Sequence, residues 1–318
     1  MMNQIFNLNF ATLARVSVLL LALIGSNIAS AADHPTIMVS IKPFYNLCAK
    51  VMLSVGKPQL LLNNNASPHD YHLKPSDIKL IKSADLIVWG GPELEGYLQK
   101  PVTNNGTAKD LNLASIPGLK LLPIRSSTNW EQDAHDHDHD HNHDHAVNDP
   151  HFWLDPNNAI VIVQAIAKRL TEIDPPNAKI YAKNAQDFSQ ELMQKDPGWK
   201  QQLTAVKDQP FIVFHDAYQY FDRAFGLKAI GSISLNPEIP PSVYRVQELQ
   251  SLLKHQHVRC IFSEPQFNAK IIETLTSGLS IYQGQLDPLG QDSDAGPKGY
   301  FTLIDKLVAA LVRCGNPH

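Results

Sequence analysis

Short runs of branched and aromatic residues alternate along the chain with segments whose apolar positions recur every three or four residues. The first run is Thr36-Ile37-Met38-Val39-Ser40-Ile41, followed by a helical stretch from Pro43 to Leu53. Gln59-Leu60-Leu61-Leu62, a loop holding Ser67-Pro68-His69-Asp70-Tyr71-His72, a helix from about Ser76 to Ser83 and the strand Leu86-Ile87-Val88-Trp89 complete a first set. Strands alternating with helices predict βαβ units and a parallel sheet.

Asp155-Pro156 starts a new helix, since Asp caps free backbone donors and Pro suits the first helical position. Ile162, Val163, Ile166 and Leu170 carry it to about Glu172, and Pro175-Pro176 ends it. A second helix begins near Asn177, with Ala178, Tyr181, Ala185, Phe188 and Leu192 on a narrow apolar stripe. Such a stripe leaves much of the helix in water and suits a bridge between lobes. Asp196-Pro197-Gly198 predicts a kink or break in it.

The alternation then resumes. Strands are expected at Phe211–Phe214, Lys228–Ile233, Cys260–Phe262 and Ser280–Tyr282, with helices at Ala217–Phe225, Val243–His255, Ala269–Leu279 and about Tyr300–Val312. The fold class is therefore α/β, with two lobes, each a parallel-type sheet flanked by helices, joined by a long linker helix. The expected boundaries are 32–175 for the first lobe, 176–205 for the linker helix and 206–318 for the second lobe.

The first 31 residues read as an address. Arg15 precedes the apolar run Val16 to Ile24, and small residues end at Ala29-Ser30-Ala31, the pattern of a cleavable signal peptide. The run is shorter than the roughly 20 apolar residues of a membrane span, and the alternative is an uncleaved anchor. The expected location is the periplasm. With 43% hydrophobic and 18% charged residues the chain is globular, and a net charge of −4 offers no basic field for nucleic acid. A small or cationic partner fits better, and the protein is expected to be a monomer.

Three cysteines matter in an exported chain, where disulfides persist. Cys260 and Cys314 both lie in the second half, and a bridge between them would staple the last helix to the sheet. Cys48 is then a buried free thiol, and no two cysteines stand at metal-ligand spacing.

Histidine carries the chemistry. His135, His137, His139, His141, His143 and His145 alternate mostly with aspartates inside a polar loop, 133–149. Largely neutral at pH 7, they are available as ligands, but ordering a flexible loop weakens such a site. His69, His151 and His215 are isolated, and at least two of them fall at the ends of expected strands or just before a helix cap, where ligands bind in open parallel sheets. Asp287 lies on the same edge. Three imidazoles and a carboxylate or water suit zinc.

Several stretches together resemble the zinc-binding periplasmic proteins of zinc ABC importers, in the cluster A-I group of solute-binding proteins. They are Ser67 to Asp77, Asp85 to Glu95, His151-Phe152-Trp153-Leu154-Asp155-Pro156, Val213 to Phe221, Phe262 to Phe267 and Leu286 to Gly290. The resemblance covers nearly the whole mature chain. It implies two lobes joined by a long rigid helix, zinc held in the inter-lobe cleft by His69, His151 and His215, and a disulfide between Cys260 and Cys314. It also implies partners, a membrane permease and an ATPase. A histidine at position 215, where manganese and iron relatives usually carry glutamate, favours zinc.

Some zinc relatives have a glutamate just before the first histidine, where this chain has Pro68, so the fourth ligand falls to Asp287 or water, with Asp287 preferred. His72 is an auxiliary ligand at most, and the histidine-rich loop a weaker zinc site. The competing readings are a manganese or iron carrier, an extracellular metal buffer or adhesin, and a zinc hydrolase using Glu264 or Asp287 as base. No HExxH motif supports the last, and no catalytic residue is assigned.

Overall fold

Two sheets of four parallel strands carry the chain in a computed structural model that describes residues 34–63, 66–104, 109–130, 147–255 and 257–315. The first sheet has β1 (Ile37–Val39), β2 (Gln59–Leu60), β3 (Leu86–Trp89) and β4 (Lys109–Asn112) in the order β2-β1-β3-β4. Every residue of β1 and β3 is buried, as expected of strands covered on both faces. The crossovers are α1 (Lys42–Val51), α2 (Pro75–Ser83) and α3 (Gly96–Thr103). Neither α3 nor β4 is expected from the sequence: α3 contains Pro101, and β4 reads Lys-Asp-Leu-Asn at the sheet edge with no apolar run.

Next come α4 (Pro156–Ile173) and α5 (Ala178–Leu203), packed on each other. Asp155 caps α4 through Oδ1, which accepts from the Asn157 amide at 2.8 Å. Contrary to the expected break, α5 runs on through Pro197. A proline removes one helical hydrogen bond, and a tertiary contact after it and an ion pair within the helix across it offset the loss. Trp199 is buried and donates through Nε1 to Asp305 at 2.6 Å, and Lys200 pairs with Asp196 at 2.6 Å. The apolar face of α5, including Tyr181, Phe188 and Leu192, enters a core that draws on both sheets.

The second sheet has β5 (Phe211–His215), β6 (Ala229–Ser234), β7 (Cys260–Ser263) and β8 (Tyr282–Gln285) in the order β6-β5-β7-β8, the topology of the first. The last strand begins at Tyr282 rather than Ser280, because pairing with β7 sets Cys260 opposite Tyr282. Between the strands lie α6 (Gln219–Phe225), α7 (Val243–His255) and α8 (Lys270–Thr276), and α9 (Gly299–Gly315) closes the described chain. Gly226, at φ +66°, ends α6 in the left-handed conformation that glycine adopts without strain. Cys260 on β7 and Cys314 on α9 form a disulfide with a Cα–Cα distance of 5.8 Å. Cys48 is a buried free thiol.

The lobes are tied together on two sides. On one, Lys42 Nζ donates to the Gln291 and Ser293 carbonyls, Gly296 N donates to Asn46 Oδ1 at 2.9 Å, and Trp153 Nε1 donates to the Pro288 carbonyl at 2.9 Å. On the other, the segment 122–130 leaves the first lobe and pairs with the edge of β6. Trp130 N donates to Ile230 O at 2.9 Å, and Ser232 N to Thr128 O at 3.0 Å. Arg245 clamps that junction, donating to Asn129 Oδ1 at 2.8 Å and to the Thr128 and Ser232 carbonyls. Residues 147–149 return against 122–124. This strap is not foreseen in the sequence, and the histidines from His135 to His145 lie outside the described residues, as do residues 1–33 with the expected signal peptide.

Candidate metal site

His69, His151 and His215 come from three different supports. His69 stands in the loop after β2, its amide donating to Ser67 Oγ at 3.2 Å. The far end of that loop is pinned by Asp77, which accepts from Tyr71 Oη at 2.9 Å and Lys74 N at 2.8 Å. His151 precedes the short 3₁₀ turn Phe152–Leu154, whose three side chains are all buried. His215 is the last residue of β5, and Glu264 follows β7, the neighbouring strand. In the order β6-β5-β7-β8 the strand order reverses between β5 and β7, and that reversal opens the crevice in which open sheets bind ligands.

One ring nitrogen of each histidine lies within 4.8 Å of the others. The ring centroids are 5.3 Å apart for His69 and His151, 5.7 Å for His69 and His215, and 5.1 Å for His151 and His215. His151 Nδ1 bonds Asp149 Oδ1 at 2.8 Å, and His215 Nδ1 bonds Glu264 Oε1 at 2.7 Å. A carboxylate at Nδ1 fixes the proton there and turns the Nε2 lone pair outward. The two Nε2 atoms are 3.3 Å apart. Facing lone pairs at that distance repel unless a proton or cation lies between them. A tetrahedral zinc with bonds of about 2.0–2.1 Å spaces its ligands at roughly 3.3 Å.

Burial sets the charge state of the rings. Desolvation, with the neighbouring rings adding to it, pushes the His69 and His151 pKa values well below the ordinary range, leaving neutral imidazoles. Burial also works to lower that of His215, but the nearby carboxylates, Glu264 first and then Asp216 and Asp149, together outweigh it and the net shift is upward. Burial lifts Asp149 to about 7 against the hydrogen bond from His151 and the charge of Arg125. Asp216, likewise lifted to about 6, pairs with Arg125 at 2.7 Å.

Asp287 is not brought into this group. Its Oδ1 accepts from Gln266 Nε2 at 2.8 Å and Leu289 N at 3.0 Å, and its Oδ2 accepts from Gln291 N at 2.5 Å. Both oxygens are engaged around the turn after β8, and among the described residues the clustered ligand atoms are those of the three histidines. His72 is exposed and also lies outside the cluster. The residues that sequence reasoning missed are the two carboxylates behind the rings. Asp149 stands two before His151, a spacing that itself places a carboxylate within reach of the ring and amide, whereas Glu264 is brought to His215 only by strand pairing. A cavity of about 410 Å³ opens onto the three histidines.

Residues 37–314 match the family model for the periplasmic component A of the zinc-uptake complex, ZnuA. The chain is 39% identical over 331 residues to the high-affinity zinc uptake system protein ZnuA of Brucella abortus, covering 96% of this chain and 98% of the relative. A crystal structure of a ZnuA superposes with a TM-score of 0.73 at 26% identity, over 89% of this chain and 99% of the other. A mutant laminin-binding adhesin of Streptococcus agalactiae superposes with a TM-score of 0.74 at 25% identity, over 88% and 99%. With the two lobes and the histidine cluster already in place, these matches establish that the chain belongs to the ZnuA family of periplasmic zinc-uptake components.

Proposed function

We propose that this protein captures Zn²⁺ outside the inner membrane and delivers it to an ABC importer, a permease driven by an ATPase. The observation that carries the reading is the convergence of His69, His151 and His215, with Nε2 of His151 and His215 already at the spacing of tetrahedral zinc. Zinc is the cargo, and the fourth position faces the cavity rather than a protein carboxylate. The signal peptide is residues 1–31 and the location periplasmic. The lobes divide at 32–175 and 206–318 around a linker at 176–205, within which α5 falls. The segment from His135 to His145 collects zinc more weakly, and His72 takes no part in the tight site.

The protein is a carrier rather than a hydrolase. The two carboxylates weighed as a general base have other partners: Glu264 Oε1 bonds His215 Nδ1, and Asp287 holds the turn after β8. Titration of the chelator-stripped mature chain tests the reading. Tight binding of one zinc in preference to manganese is expected, and equal or stronger manganese binding would overturn it.

A further inference from the structure

The cavity beside the histidines is far larger than an ion needs. At about 410 Å³ it falls in the range of small-molecule sites, roughly 300–1,000 Å³, whereas one water accounts for about 30 Å³. Its lining also carries more chemistry than zinc uses. Arg125 spends Nη1 on Asp216 at 2.7 Å, while its Nε and Nη2 have no partner among the described residues. The guanidinium carbon lies 3.7 Å from the centroid of the Trp130 ring, a cation–π contact that helps to hold the group in place. Glu93, exposed and without a partner among the described residues, lines the same space. Ile124, Val147 and Leu235 give it an apolar wall, and all three are exposed large hydrophobics.

A cation site, an anion site and an apolar wall in one cavity match a zwitterion with a side chain. A dicarboxylate or tricarboxylate would set surplus negative charge against Glu93, Asp149 and Asp216. We propose that the cavity binds a free α-amino acid that completes the coordination of the ion. One carboxylate oxygen takes the fourth position and the other accepts from the free donors of Arg125. The ammonium faces Glu93 and the side chain lies on Ile124, Val147 and Leu235. The protein then takes up zinc as an amino-acid complex. This rests on the zinc reading of the three histidines.

Equilibrium dialysis of the full mature chain, loaded with one equivalent of zinc, against labelled L-leucine tests it, with zinc content read in the same samples. About one leucine per zinc is expected, with at least tenfold weaker retention when zinc is omitted. Arg125→Ala should weaken retention per bound zinc about tenfold, as loss of a charge-assisted contact does. Glu93→Gln, at an exposed position that the fold does not depend on, should weaken it several-fold. A zinc-holding protein that retains no leucine would overturn the proposal, as would retention indifferent to zinc or to both substitutions. Citrate retained in place of leucine would overturn the amino-acid assignment. Loss of retention on deleting residues 135–145 would move the complex to that segment and overturn the cavity. A chain that holds no zinc at all would fail the underlying reading instead, and the zinc content distinguishes that case.

Discussion

Replacing Glu264 by glutamine tests how the protein holds its first proton and then its metal. The bond from His215 Nδ1 to Glu264 Oε1 is 2.7 Å, with side chains only 5% and 1% exposed, so solvent screens it little. Glutamine keeps an oxygen that can accept from Nδ1, so the tautomer survives and only the charge is removed. Changing an outer partner of a metal-bound histidine costs about 10–100-fold in affinity, or roughly 1.4–2.7 kcal/mol. Near pH 8, competition against a chromophoric chelator should show Glu264→Gln binding zinc weaker by that factor. The pH dependence is the sharper part. Glu264 holds the His215 pKa up against burial, so in the parent protein zinc must displace a proton, and affinity falls as pH drops through that raised pKa. In the variant the proton is lost at lower pH, so the gap between the two proteins should narrow on acidification. Affinities within twofold near pH 8, or a gap that does not change with pH, would refute the assignment of Glu264.

Asp222 is buried, neither oxygen has a hydrogen-bond partner among the described residues, and burial lifts its pKa to about 8. A carboxyl with a raised folded pKa binds its proton more tightly in the native state, so its contribution to stability is lost as pH rises toward about 8. Asp222→Asn should therefore raise stability near pH 8 by about 1–3 kcal/mol and do less near pH 5, read from chemical denaturation at both pH values. Cys260 and Cys314 close a loop with a sequence separation of 54, so replacing both by alanine should cost about 2–5 kcal/mol in guanidinium unfolding. Deleting residues 135–145 should remove the weak zinc equivalents in a titration and leave the tight one. Loss of the tight site would overturn that division.

The parts of the fold legible in the sequence are those whose signal is local. Alternation of apolar runs and helical spacing predicts seven of the eight strands among the described residues, most clearly β1, β3 and β5, which are buried along their whole length and therefore apolar. The polar edge strand Lys109–Asn112 carries no such signal. Pro197 misleads for the opposite reason: the local cost is real, but Trp199 and its neighbours pack well enough to override it. At the site, the isolated histidines stand out by residue type and by position at strand ends. Glu264 becomes a partner of His215 only through the pairing of β5 with β7. The partners of Asp287 are not legible from position alone. That residue does sit on the correct edge, yet the backbone amides of Leu289 and Gln291 claim its oxygens. The strap at 122–130 was illegible because its stability comes from β6 and Arg245, which lie about a hundred residues on.

Anomalous scattering at the zinc edge, on crystals of the protein carrying one equivalent of zinc, tests the central claim most directly. The account predicts one dominant peak about 2.0–2.1 Å from Nε2 of His151, Nε2 of His215 and one ring nitrogen of His69, with Asp287 still holding its turn. A peak coordinated by Asp287, or placed away from the three histidines, would contradict it.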